Sequence, residues 1–136
     1  MSALLLTVML MYSCSAPTAN PALKNIQIGY TEYVNCLKQC TAQEDEYTSA
    51  YKKCIATCEE TFKTDSAKCF SLPRPQPQND NHPVNPQDCV ILQREARTTC
   101  ENECTNTYLQ NLQQVSACKQ ACLDAFNTKY KEALGQ

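Results

Sequence analysis

The chain of 136 residues has no tryptophan, three phenylalanines and a single histidine, His82. So few large aromatic side chains leave little apolar volume for a core, and covalent cross-links are expected to decide whether the chain folds. His82 lies in a proline-rich stretch, where a solvated loop residue is the expectation. No group of acid, base and nucleophile forms a recognisable reactive constellation, so the sequence predicts no enzyme, no catalytic residue and no cofactor.

An excess of charge of one sign is also absent. Twelve basic and fourteen acidic residues give a net charge of −2. The signs are interleaved, with six basic and seven acidic residues in 24–70 and five and six in 88–136. No basic stripe exists for phosphate backbones or anionic lipid, which disfavours nucleic-acid binding and cationic membrane attack. Acidic runs such as Glu44 to Glu46 are expected to be solvated faces.

The N-terminus predicts secretion. Residues 3–12 form an apolar run without charge, followed by small residues, which is typical of a signal peptide and too short to span a bilayer. We assign 1–16 as signal peptide, with cleavage between 15 and 19, and expect an extracellular protein with no membrane insertion afterwards. Two alternatives stay open: a buried N-terminal helix, and a bacterial lipobox in which Cys14 is lipidated.

Ten of the eleven cysteines form a mirror-symmetric ladder. The spacing C-x3-C-x13-C-x3-C occurs twice, 64 residues apart, which indicates an internal repeat. An eleventh-residue step separates Cys69 from the first set and Cys89 from the second. The ladder consists of Cys36, Cys40, Cys54, Cys58, Cys69, Cys89, Cys100, Cys104, Cys118 and Cys122. In an extracellular chain this even number predicts disulfides rather than four-cysteine zinc sites.

Within each repeat, a C-x3-C pair presents two thiols one turn apart on one helix face. Two antiparallel helices joined by a short turn would cross-link such pairs in nested order. This interpretation predicts four bridges inside the halves and turns near Tyr47 and Asn111. The four pairs would be Cys36–Cys58, Cys40–Cys54, Cys100–Cys122 and Cys104–Cys118.

Five of the seven prolines fall in residues 71–87 and indicate a linker, because proline inside a helix costs about 3 kcal/mol. Asn85 is the predicted N-cap of the helix that follows, with Pro86 at its first position and Asp88 in its first turn. Asn20-Pro21 repeats that signal. Eleven residues return a helix to nearly the same face, so Cys69 and Cys89 should bond each other across the linker. The loop would then expose a candidate binding set, Leu72, Arg74, His82 and Val84.

The predicted fold is therefore all-α, with two disulfide-stapled antiparallel helical hairpins, four helices in all, joined by a Pro-rich loop. The units would be hairpin 1 at 20–70, the linker at 71–88 and hairpin 2 at 89–136. Apolar residues beside the cysteines are expected to line the seams: Val34, Leu37, Tyr51, Ile55, Phe62, Ile91, Leu92, Val115, Phe126 and Tyr130.

The twin C-x3-C spacing resembles the α-hairpinin family of secreted plant peptides and the small twin-C-x3-C chaperones of the mitochondrial intermembrane space. It covers about 45 residues in each half, and the resemblance implies helical hairpins with nested bridges. Among α-hairpinins, trypsin inhibitors carry Lys or Arg between the cysteine pairs. Here Lys52 and Lys53 lie beside Cys54, away from the expected turn.

The function expected from these features is binding. We expect a secreted, non-catalytic protein of the toxin, effector, pheromone or signal type that binds an extracellular protein partner, with no metal. A secreted hydrolase inhibitor that uses the constrained loop is an alternative, and a structural or storage role is another. The sequence leaves the target and the oligomeric state open.

Overall fold

A computed structural model describes residues 20–71 and 85–136. Two long antiparallel helices fill these ranges, α1 at Pro21–Cys69 and α2 at Pro86–Ala133. No strand occurs in either range, so the all-α class is confirmed. The predicted signal peptide at 1–16 and the predicted binding set Leu72, Arg74, His82 and Val84 lie outside the described residues.

Both helices begin where the sequence predicts. The side-chain oxygen of Asn20 accepts a hydrogen bond from the amide of Ala22 at 3.1 Å, and Pro21 occupies the first turn. Asn85 accepts in the same way from Gln87 at 3.1 Å, ahead of Pro86. Each cap satisfies an amide that has no partner inside its helix, and proline costs nothing at a position whose N–H would be unpaired.

The prediction of four helices is wrong, because each predicted hairpin is a single continuous helix. Residues 41–53 and 105–117, expected to contain turns near Tyr47 and Asn111, are helical throughout. Neither segment holds a Gly or Pro that would interrupt a helix. Eighteen residues separate Cys36 from Cys54, and at 3.6 residues per turn this is about five complete turns. All four thiols of each half therefore lie on one face of one helix.

Four of the predicted disulfide pairings are consequently wrong: Cys36–Cys58, Cys40–Cys54, Cys100–Cys122 and Cys104–Cys118. A straight helix cannot bond its own residues 14 or 22 positions apart, so every bridge joins α1 to α2. The two residue numbers of each bridge add to 158, which is the signature of one long antiparallel pair. The bridges are Cys36–Cys122, Cys40–Cys118, Cys54–Cys104, Cys58–Cys100 and Cys69–Cys89. Only Cys69–Cys89 pairs as the sequence analysis expects.

The core of the hairpin is made mainly of sulfur. The buried apolar side chains of the described residues are Val115 and five cysteines, Cys40, Cys58, Cys69, Cys104 and Cys122. Bridged Cα atoms lie 5.6 to 5.9 Å apart. Two helices in contact on one face have no second layer to bury more. Closing a loop of 15 to 100 residues stabilises by about 3 to 5 kcal/mol in the chain-entropy model, with nested loops contributing less than their sum.

None of the described helices combines the length and the apolar character needed to cross a membrane. The surface of this narrow rod is mixed, with ten large apolar side chains at least one-third exposed. Several of them cluster at defined places along the rod, as described below.

Small-angle X-ray scattering of the oxidised chain should report an elongated particle. A helix of 48 residues is about 72 Å long at 1.5 Å per residue. Two separate hairpins would halve each helix to roughly 36 Å and give a compact particle. A maximum dimension near 40 Å would contradict the continuous helices.

Candidate binding surface

The disulfide ladder fixes the relative position of the two helices at five points. The bridges form two close pairs and one single bridge, spaced along most of the hairpin. Such cross-links prevent α1 and α2 from sliding past each other. Side chains between and beyond the bridges are therefore held at defined places, as a binding surface on a rigid scaffold requires.

Between the two bridge pairs, aromatic and polar contacts replace the turns that the sequence predicts. The rings of Tyr51 and Tyr108 stack with centroids 4.7 Å apart and planes 16° from parallel. The hydroxyls of Thr48 and Tyr108 lie 3.1 Å apart, and Tyr47 donates to Gln114 at 3.2 Å. This part of the rod consequently has its own cross-helix contacts in addition to the bridges.

Acidic residues that the sequence places on solvated faces form ion pairs between the helices. Lys119 binds Glu44 at 2.6 Å, and Arg97 approaches Glu59 at 3.3 Å. These side chains are about one-third to one-half exposed, so each pair contributes at most about 1 kcal/mol. Their orientation suits the same register as the bridges.

Arg97 is the most highly connected of these charged side chains. Its guanidinium donates to Glu101 at 2.6 Å and lies 5.3 Å from the ring centroid of Phe62. The hydrogen bond to Glu101 and the charge of that carboxylate raise the pKa of Arg97, with a smaller contribution from Glu59. Arg97 thus holds a single charge state while it covers Phe62.

Four aromatic rings form a contact chain where the hairpin is open, beyond the last bridge. The rings of Tyr33 and Phe126 lie 5.4 Å apart, Phe126 and Tyr130 6.1 Å, and Tyr30 and Phe126 6.3 Å. Tyr30 is 58% exposed and Tyr130 43% exposed. We call this group, Tyr30, Tyr33, Phe126 and Tyr130, the open-end aromatic cluster.

Close approach of the helices beside this cluster depends on Gly29. Its backbone is buried against the side chains of Phe126 and Lys129, and Lys129 also pairs with Glu32. The helices enclose an open groove here of about 290 Å³, lined by Asn25, Ile28, Gly29, Lys129, Glu132 and Ala133. Apolar and charged side chains thus meet at this end of the rod.

A second groove lies between the helices, next to the cluster along the rod. Its volume is about 450 Å³, and Tyr33 lines both this groove and the open end. The remaining lining is mixed, with Leu37, Leu112, Val115 and Leu123 beside Glu44 and Lys119. The accessible apolar surface therefore continues from the cluster toward the middle of the hairpin.

The predicted seam residues are only partly in the helix interface. Val115 is buried, and Tyr51, Phe62 and Phe126 make the contacts described above. Ile91 and Leu92 are instead 50% and 59% exposed. The sequence analysis missed Tyr30, Tyr33 and Tyr108. Their contacts follow from the constant of 158, which brings residue 33 opposite 125 and residue 51 opposite 107.

Comparisons with models of protein families, with curated proteins and with solved structures give no match. The resemblance to twin C-x3-C proteins therefore stands on cysteine spacing and on the disulfide-linked helical hairpin. The hairpin is formed once by the whole chain, whereas the resemblance implies one in each half.

Replacing Gly29 with Ala should stabilise the hairpin by about 0.5 to 1 kcal/mol, because glycine inside a helix is less favourable than alanine by about that amount. A Cβ at position 29 would lie 3.7 Å from Cβ of Lys129, an ordinary contact. Chemical denaturation of the oxidised protein would measure the change.

Gly135 is the matched control. Its φ of 73° is in the left-handed region after α2, where alanine is strained, so Gly135→Ala should not stabilise. Destabilisation by Gly29→Ala would show that the helices approach more closely there than described.

Proposed function

We propose that this chain is a secreted, non-catalytic helical protein that acts by binding a protein partner through the open-end aromatic cluster. The partner would be an extracellular protein, and the chain would belong to the toxin, effector, pheromone or signal type. One observation carries the proposal: exposed tyrosines share an aromatic contact chain on a scaffold locked by bridges.

The composition of the cluster suits protein recognition. Tyrosine is enriched at the energetic centres of interfaces, because its ring buries a large apolar area while its hydroxyl can hydrogen-bond. Tyr30 and Tyr130 offer their faces to solvent, while Tyr33 and Phe126 support them from within the contact chain. Little side-chain freedom would be lost on binding, since these rings already touch one another.

The charges beside the cluster favour a partner of mixed polarity. Lys129 and Glu132 line the neighbouring groove, and Glu32 pairs with Lys129. A surface with apolar centre and both signs at its rim resembles ordinary protein interfaces more than a lipid- or nucleic-acid-binding face.

Extracellular location is supported by the bridges. Five disulfides persist in oxidising compartments and are rare where glutathione keeps thiols reduced. Together with the apolar N-terminal run, they favour a protein that leaves the cell.

A second candidate function, hydrolase inhibition, is supported by the Cys69–Cys89 bridge. This bridge closes residues 70–88 into a loop at the other end of the rod, with Cα atoms 5.6 Å apart. A loop tied at its base can dock into a cleft with little loss of chain entropy. The inhibitor would then use the loop set that begins at Leu72 rather than the aromatic cluster.

Three variants of the full chain separate these functions once a partner has been isolated with the unaltered protein. Tyr30→Ser with Tyr130→Ser should weaken binding at least 30-fold, about 2 kcal/mol, as expected for two central aromatic side chains. Ile91→Ser with Leu92→Ser removes comparable exposed apolar surface near the loop and should leave affinity within threefold. Calorimetry measures affinity, and circular dichroism verifies that helix content is kept.

Alanine at Leu72, Arg74 and Val84 is the third variant. Loss of affinity in this variant alone would transfer the function to the loop and favour the inhibitor. A chain that captures no protein when a photoreactive residue replaces Tyr30 would favour the structural or storage role.

A further inference from the structure

The eight cysteines of the repeated C-x3-C pairs gather into two four-sulfur groups. We name them the terminal cysteine cluster, nearer the chain ends, and the loop-side cysteine cluster. The terminal cluster contains Cys36, Cys40, Cys118 and Cys122. The loop-side cluster contains Cys54, Cys58, Cys100 and Cys104. In both, each helix contributes two sulfurs one turn apart.

Sulfurs that are not bonded to each other are also close. In the terminal cluster, Sγ of Cys40 lies 3.6 Å from Sγ of Cys122, and these two and Sγ of Cys36 all lie within 4.8 Å of one another. The loop-side cluster repeats the geometry, with Sγ of Cys58 and Cys104 3.6 Å apart. Two adjacent bridges thus place four sulfurs around one point.

This spacing is close to that of a zinc tetrathiolate. With Zn–S bonds of about 2.3 Å, the sulfurs at the corners of a tetrahedron lie about 3.8 Å apart. The unbonded pairs already have this separation. Once the bridges are reduced, the bonded pairs can move apart to it by rotation of their side chains, since each Cys has a rotatable χ1.

We propose that the reduced chain binds two zinc ions, one in each four-cysteine cluster, and that oxidation to the disulfide form releases them. In reduction, two dithiol molecules each transfer two electrons and two protons to one disulfide, become disulfides themselves and leave four cysteine thiols. The four thiols then lose four protons as their thiolates coordinate one Zn²⁺. This inference is independent of the proposed partner.

The environment of the clusters suits a structural ion. Cys40, Cys122, Cys58 and Cys104 are buried, so thiolates there would exclude water from the metal. Four protein ligands leave no open coordination position, as in structural rather than catalytic zinc sites. Because the core is otherwise thin, two ions would hold the reduced helices in the register that the bridges hold after oxidation.

The Cys69–Cys89 bridge provides an internal control. Its two sulfurs have no neighbouring C-x3-C pair, so this bridge cannot complete a tetrathiolate on its own. The proposal therefore requires a stoichiometry of two ions, with eight of the ten ladder cysteines as ligands.

Cobalt titration tests the stoichiometry. The full chain carrying Cys14→Ser, which removes the thiol outside the ladder, is reduced by a phosphine under nitrogen and titrated with CoCl2. Two Co²⁺ per chain should bind, with the intense visible absorption of tetrahedral cobalt thiolates, and ZnCl2 should displace both. Circular dichroism should show that two equivalents of zinc restore helix content lost on reduction.

Variants assign the sites. Cys118→Ser with Cys122→Ser should lower the stoichiometry from two ions to one, and Cys100→Ser with Cys104→Ser should do the same. Cys69→Ser with Cys89→Ser should leave two. Failure of the reduced chain to bind cobalt overturns the proposal, as does loss of an ion in the Cys69/Cys89 variant. One ion shared by both clusters would also overturn it, and this outcome is read on the unaltered ladder.

Discussion

The register between two continuous helices, fixed by disulfides, is the constraint on which the rest of this structure depends. A pair of helices of nearly fifty residues has one contact face, and in this chain that face buries only Val115 besides cysteine. Apolar burial of this extent would not hold the helices against sliding or separation. Five bridges with one common register remove those motions, and they position the stacked tyrosines, the ion pairs at Glu44 and Glu59, and the aromatic rings at the open end.

This arrangement separates the parts of the molecule by task. Cysteine supplies stability, so the remaining side chains are not needed for a core, and several large apolar ones stay exposed. Such side chains in a secreted chain need a reason, because isolated patches of this kind favour association. The open-end aromatic cluster gives them one as a binding surface. The four-sulfur groupings add a second possibility, since the same residues that hold the oxidised rod have the spacing to hold metal when reduced.

Much of the architecture could be predicted from sequence, and the error has a physical origin. Helix starts at Asn20 and Asn85 were correctly predicted, because capping and proline preference are local. The pairing of Cys69 with Cys89 followed from helical phase across a short linker. The turns at Tyr47 and Asn111 were predicted from symmetry within each half, although neither site has a residue that ends a helix. The five-turn interval between Cys36 and Cys54 favoured a continuous helix and was decisive. Contacts such as Tyr33 with Phe126 join residues 93 apart and could be predicted only after that register.

Disulfide mapping of the non-reduced protein is the most direct test of the common register. Cleavage after Lys38 separates Cys36 from Cys40, and cleavage after Glu101 and Glu103 separates Cys100 from Cys104. Mass spectrometry should then find the fragment of Cys36 joined to that of Cys122, and the fragment of Cys58 joined to that of Cys100. A fragment that joins Cys36 to Cys58 would restore two separate hairpins and contradict the continuous helices.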